Sequence, residues 1–252
     1  MKKIISIYLM FIFSFAASAQ EVILTFEKAN ESFRNKEYAH AIELYESILK
    51  NGYSNTTLLY NLGNSYYKNN NIPAAILNYE RAIKSDPSDE DIKYNLKLAN
   101  LKTIDKIEPL PELFLTSWLN TIISSFNSDK WSVLFIVFIW FTLGSIVLFS
   151  LFKNRSFIRK ACFLIMTFGF VFCIGSFLFA YKQHKSETQN NKAIVFQPTV
   201  YVKNTPDEKG TDLFIVHEGL KVHVVDEVNG WLKIKLSDGN IGWLWKNYIE
   251  LI

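Results

Sequence analysis

The spacing of apolar residues changes character along the chain and divides it into three kinds of segment. Between Gln20 and Leu101 apolar positions recur three and four apart; Ile92, Leu96 and Ala99, for example, share one face of a helix. Met1–Ala19, Trp131–Phe152 and Ala161–Tyr181 are apolar almost without interruption. From Lys192 onward the period drops to two: Leu232, Ile234 and Leu236 alternate with Lys233 and Lys235, and Val222 and Val224 with Lys221 and His223. The pattern predicts a multidomain membrane protein with an all-α region, a transmembrane helical hairpin and a small all-β barrel.

The helical region repeats itself. An offset of 34 residues lays Ala29 over Gly63, Ala41 over Ala75, Tyr45 over Tyr79, Ile48 over Ala82 and Tyr53 over Pro87. Small residues let antiparallel helices approach, and a tyrosine fills the gap beside them. The spacing and residue types resemble the tetratricopeptide repeat. Leu62-Gly63, Tyr66, Ala75, Tyr79, Ala82 and Pro87 match its consensus in the second unit, whereas Lys28 and Ser32 depart from it in the first. A further helix follows, with Ser88 as the expected cap and acidic Asp89, Glu90 and Asp91 at its positive end. Residues 20–101 thus read as two repeats plus a capping helix. Such stacks usually need about three units to bury a continuous core, so docking on another surface, or self-association, is expected to supplement this one.

Tetratricopeptide arrays bind peptides along the first helices of their units. The resemblance places Phe26, Asn30, Tyr60, Asn61, Asn64, Tyr67, Tyr94 and Asn95 on that face. Asparagines there hydrogen-bond an extended backbone, and tyrosines add apolar contact with a polar tip. The alternative is that these residues only pack or solvate the array. Asn30 and Asn61 match the asparagines of the family's carboxylate clamp, but Phe26 and Asp91 stand where it needs lysines.

Residues 1–19 have the form of an export signal: Lys2 and Lys3, an apolar run, then Ala17-Ser18-Ala19 before the expected cleavage ahead of Gln20. Trp131–Phe152 contains 22 residues without a charge, about 33 Å of helix, enough for a hydrocarbon core of about 30 Å. Residues 161–181 form the second expected span. The loop 153–160 between them carries Lys153, Arg155, Arg159 and Lys160, and basic loops stay cytoplasmic. Both soluble regions are therefore expected on the outer side, in the periplasm of a bacterial inner-membrane protein. In the linker 102–130, Phe114, Trp118, Ile122 and Phe126 recur every four residues, as in a helix lying at the membrane interface. Residues 182–191 form a second linker.

Within residues 192–252, Asn229-Gly230 and Asp238-Gly239 are hairpin turns, since both pairs tolerate positive φ. Strands are expected around Val200–Val202, Leu213–Val216 and Ile241–Trp245, besides the two alternating runs. Pro198, Asn229-Gly230-Trp231, Asp238-Gly239 and Gly242-Trp243 resemble a bacterial SH3-like domain, which usually ends in a Gly-Trp strand and a short helical turn. Trp231, Trp243, Trp245 and Tyr248 are the candidates for a binding groove. The competing expectation seats Trp231 and Trp243 in the core. His217 and His223 lack a Cys or carboxylate set at metal-ligand spacing, so no metal or other cofactor is expected.

Charge narrows the functional classes. The formal net charge is +3, yet Gln20–Glu108 holds 11 basic against 13 acidic residues and Lys192–Ile252 holds 7 against 8. Neither soluble region concentrates the basic surface that nucleic acid requires. The two cysteines, Cys162 and Cys173, lie eleven residues apart in the second span, about 16 Å along a helix and too far to pair. No Gly-rich phosphate loop, serine elbow or HExxH occurs, and no catalytic residue is assigned.

The order of these parts is similar to that of BatE proteins of the Bacteroides aerotolerance operon. Asp89-Glu90-Asp91-Ile92-Lys93-Tyr94-Asn95-Leu96, Phe214-Ile215-Val216-His217-Glu218-Gly219 and Asp238-Gly239-Asn240-Ile241-Gly242-Trp243 carry the resemblance. It implies a membrane-bound component of an assembly with von Willebrand A-type membrane proteins and a MoxR-type ATPase, in oxygen and stress tolerance. The expected function is a scaffold in contact with protein partners and membrane lipid. The alternative is an envelope sensor whose SH3-like domain grips peptidoglycan.

Overall fold

The computed structural model describes residues 20–111 and 113–252. The expected export signal lies outside the described residues. Two compact units emerge: residues 20–83, 90–110 and 190–252 form the first, and residues 84–89 and 111–189 the second.

In the first unit, helices α1 (20–34), α2 (Tyr38–Lys50), α3 (Thr56–Lys68), α4 (Ile72–Ser85, its last residues belonging to the second unit) and α5 (Glu90–Leu101) follow one another through tight turns. The positions that repeat at an offset of 34 are the packing positions. Ala29, Ala41, Tyr45, Ala75, Tyr79 and Ala82 are all buried. Gly63 sits against the Tyr79 ring so closely that a Cβ there would lie 2.7 Å from Cδ1 and Cε1. Ile92 and Ala99 of α5 are buried, and Leu96 is partly so. Ser88, the expected cap of α5, donates its hydroxyl to Asp86 Oδ1 at 2.6 Å, and the helix begins two residues later.

The β domain contains β1 (Lys192–Val195), β2 (Thr199–Lys203), β3 (Asp212–His217), β4 (Lys221–Val228), β5 (Trp231–Lys235), β6 (Ile241–Trp245), one 3₁₀ turn (Lys246–Tyr248) and β7 (Ile249–Leu251). The strands form one antiparallel sheet in the order β3-β2-β6-β5-β4-β1-β7. Asn229 and Gly230 both take positive φ, 49° and 82°, as the β4–β5 hairpin requires. Its core is aliphatic: Val195, Val200, Val202, Val216, Val222, Leu232, Ile234 and Leu244 are buried together. The strand period explains this, because Leu232, Ile234 and Leu244 point inward and their neighbours outward. Strands β1 and β7 were not among the alternating runs; the one is buried over most of its length and the other has three residues.

Within this unit the β domain packs on α4. Ile194 and Ile252 join the buried cluster of Ile76, Leu77, Tyr79, Ile92 and Ala99. Lys221 Nζ donates to both Glu80 oxygens at 2.7 Å, and Arg81 donates to Glu250 Oε1 and the Leu251 carbonyl. Asp105, just past α5, accepts from the His217 backbone N–H at 2.6 Å and contacts its Nδ1 at 2.8 Å. The consequence is visible along the helix. In α2 only Ala41, Ile42, Tyr45 and Ile48 are buried, an ordinary one-sided stripe. In α4 every residue from Pro73 to Glu80 is buried. The short array thus has its supplement, and this chain supplies it.

In the second unit, α6 (Phe114–Ile123) is short and apolar, with Phe114 and Trp118 exposed; Phe126 lies beyond its end, edge-on to Trp131. Helices α7 (Ser128–Leu151) and α8 (Ser156–Thr188) are long and apolar enough to cross a membrane. Only 6% of the most apolar stretch of α7 and 22% of that of α8 is buried within the protein, unlike the core helix of a soluble domain. They form an antiparallel pair. Phe138 stacks on Phe172 with centroids 5.2 Å apart, and Gly169 meets Thr142 where no Cβ would fit. At the other end the Ser128 backbone and hydroxyl donate to the Glu187 carboxylate. Helix α8 continues seven residues past the expected end of the span, through most of the expected linker. Cys162 and Cys173 are buried and unpaired.

Candidate functional site

Asparagines link helix α1 to α3 and α3 to α5. Asn30 Oδ1 accepts from Tyr45 Oη at 2.6 Å and from Asn61 Nδ2 at 3.0 Å. One repeat on, Asn64 Oδ1 accepts from Tyr79 Oη at 2.7 Å and from Asn95 Nδ2 at 2.9 Å. Each position in the second set is 34 residues beyond its counterpart in the first. Asn95 Nδ2 also donates to Tyr60 Oη at 2.9 Å. The phenols suit this task. Burial raises Tyr45 to about 12, outweighing the opposing pull of Asn61 and the Arg34 charge, and burial together with the Tyr60 and Tyr67 phenols raises Tyr79. Both stay protonated donors at neutral pH.

All eight candidate groove residues lie on these three helices. Tyr94 is exposed, and Phe26, Asn30, Tyr60, Asn61, Asn64, Tyr67 and Asn95 are each partly so. Their roles differ. Asn30 and Asn64 each commit one side of the amide to the scaffold, and among the described residues their Nδ2 groups have no hydrogen-bond partner. Phe26 and Asn30 also line a cavity of about 530 Å³ with Val22, Tyr53, Asn55 and Leu58. Tyr67 carries the Lys102 ammonium over its ring at 4.1 Å. Lys102 was not anticipated; it stands 34 residues past Lys68, and that offset is a signal the sequence contained.

In the β domain Trp231, Trp243 and Trp245 share one face of the β5–β6 pair and Leu232, Ile234 and Leu244 the other, and none of the three joins the aliphatic cluster. Trp231 and Trp245 meet edge-on at 5.4 Å beside Gly230. Trp231 is nonetheless buried, at 9% exposed, whereas Trp243 is not. Trp243 is partly exposed with Lys233 Nζ 5.7 Å from its ring centre. Tyr248 packs against the core cluster instead. The structure therefore brings together Trp231 and Trp245, leaves Trp243 beside them on the same face, and separates Tyr248 from that set.

Comparison with known families agrees with both geometries. Residues 57–89 match the tetratricopeptide repeat, and residues 198–250 match the bacterial SH3 domain. The chain carries both modules. The matched repeat spans α3 and α4, the unit on which the SH3 domain packs. A search of curated proteins found no match. Tetratricopeptide and SH3 modules bind proteins, and bacterial SH3 domains also suggest binding to the cell wall.

Proposed function

We propose that this chain is a non-enzymatic scaffold or assembly factor of the bacterial inner membrane. Helices α7 and α8 anchor it, both soluble modules face the periplasm, and the face of α1, α3 and α5 holds an extended segment of a partner protein. The observation that carries this reading is the repeated asparagine pair. Asn30 and Asn64 are held by their oxygens and present amide donors one repeat apart, suited to carbonyls a few residues apart along an extended chain. The SH3 domain packs on α4 while Tyr94 stays exposed and the other seven groove residues partly so. The order of modules, similar to that of BatE proteins, supports a place in a Bat-type aerotolerance complex, with von Willebrand A-type membrane proteins as partners. A photo-crosslinker at Tyr94 in native membranes tests this. Reproducible capture of one membrane or periplasmic protein, reduced in an N30D/N64D variant, is expected. Capture that is unselective, or indifferent to those substitutions, contradicts it.

The shared face of Trp231, Trp243 and Trp245 favours a second reading, an envelope sensor that grips peptidoglycan there. Retention of the Lys192–Ile252 segment on purified cell wall, lost in W243A, supports the sensor; passage straight through supports the scaffold.

A further inference from the structure

An open cavity of about 610 Å³ at the α7–α8 turn is lined by Lys153, Arg159 and Lys160 together with Phe149, Phe163 and Leu164. One of the cations is held in place. The Arg159 guanidinium lies 4.7 Å over the Phe149 ring, and its Nη1 donates to the Lys153 carbonyl. None of the three has a carboxylate partner among the described residues. The sequence explains why: between Asp129 and Glu187 there is no acidic residue at all. Like charges gathered this closely repel one another unless an anion sits between them.

We infer that this cavity is a site for an anionic phospholipid, with the phosphate-bearing headgroup among Lys153, Arg159 and Lys160 and an acyl chain along Phe149, Phe163 and Leu164. The shared chemistry is a phosphate group, but the apolar wall selects the lipid over a soluble anion. That wall is continuous with the faces of α7 and α8, which already meet hydrocarbon if the hairpin spans a bilayer. Arg supplies a planar fork to phosphate oxygens, and the lysines add point charges. Basic pockets between spanning helices bind headgroups in this way. The inference rests on the reading of α7 and α8 as a membrane hairpin.

The test uses the full chain reconstituted in phosphatidylcholine vesicles with spin-labelled phosphatidylglycerol or phosphatidylcholine as the probe, reading the relative association of the two. Resistance to carbonate extraction from native membranes is measured first, so that failure of the hairpin reading is separately visible and would itself overturn the site. The wild-type chain should prefer phosphatidylglycerol. A K153Q/R159Q/K160Q variant should lose most of that preference, each charge being worth on the order of fivefold. K153R/K160R should retain it, and K182Q/K185Q, with changes at the other end of α8, should leave it unaltered. Equal association of both lipids with the wild type, or a preference that survives the triple substitution, would overturn the proposal. So would suppression of the preference by inorganic phosphate, which would mark a site for the free anion.

Discussion

Replacing Lys221 by Met tests how strongly the SH3 domain is held on α4. The Glu80 side chain is 9% exposed and both its oxygens are 2.7 Å from Lys221 Nζ, whose own side chain is 36% exposed. Removing one partner of a buried pair costs about 3–5 kcal/mol, because the other charge is left unsolvated. Partial exposure of the lysine end screens the pair, so K221M should cost about 2–3 kcal/mol. E80Q should cost less, about 1 kcal/mol, since the remaining ammonium can turn toward water. The double variant E80M/K221M should recover most of the loss, as apolar replacements of buried pairs commonly do. The assay is urea unfolding of the full chain in mild detergent, followed by tryptophan fluorescence with Trp118, Trp131 and Trp140 replaced by Phe. With slopes typical of small domains, K221M should lower the midpoint by about 1 M. If E80Q costs as much as K221M, or the double variant loses the sum of both, the contact is not the buried, desolvated pair described here.

Three further outcomes follow from the repeat geometry. G63A forces a methyl group into the Tyr79 ring and should destabilise the array by about 1–3 kcal/mol in thermal melts; an unchanged melting temperature would mean the helices are not in that close contact. N64A leaves the Tyr79 hydroxyl and the Asn95 amide without their shared acceptor and should cost about 1–3 kcal/mol, whereas N69A, on the exposed turn after α3, should be silent. Burial raises Tyr45 to about 12 and pushes Tyr66 and Tyr79 up as well, while unfolded phenols ionise near 10. The unfolded chain therefore binds fewer protons between about pH 10 and 12, and stability is lost as pH rises through that window. Urea midpoints that stay level there would contradict the burial of these phenols.

Much of this architecture was legible in residue spacing. The 34-residue offset located the packing positions because steric contact between helices admits only small residues at Gly63 and Ala75. Asn229-Gly230 marked a hairpin because it needs positive φ twice in succession. Local rules did not seat the tryptophans. Trp231 and Trp243 alternate with Leu232 and Leu244, and which set faces inward depends on pairing across the whole sheet. Docking of the SH3 domain on α4 joins residues far apart in the chain, yet a trace was present. At the shared offset, His40 and Glu43, exposed in α2, become Ala74 and Leu77, buried in α4. The asparagine row had the same periodicity, but spacing alone does not distinguish an amide that meets a ligand from one that ties helices together. Here each of Asn30 and Asn64 does the second with its oxygen, and the nitrogen is left for the first.

The SH3 domain covers the outer side of the second repeat, so that two repeats suffice. Hydrogen exchange of the full chain in detergent tests this most directly by comparing α2 with α4. The account predicts that amides on all sides of Pro73–Glu80 exchange as slowly as those of the SH3 core, and that K221M speeds both together, while the outer flank of α2 exchanges faster throughout. Exchange of α4 at the rate of α2, insensitive to Lys221, would contradict it.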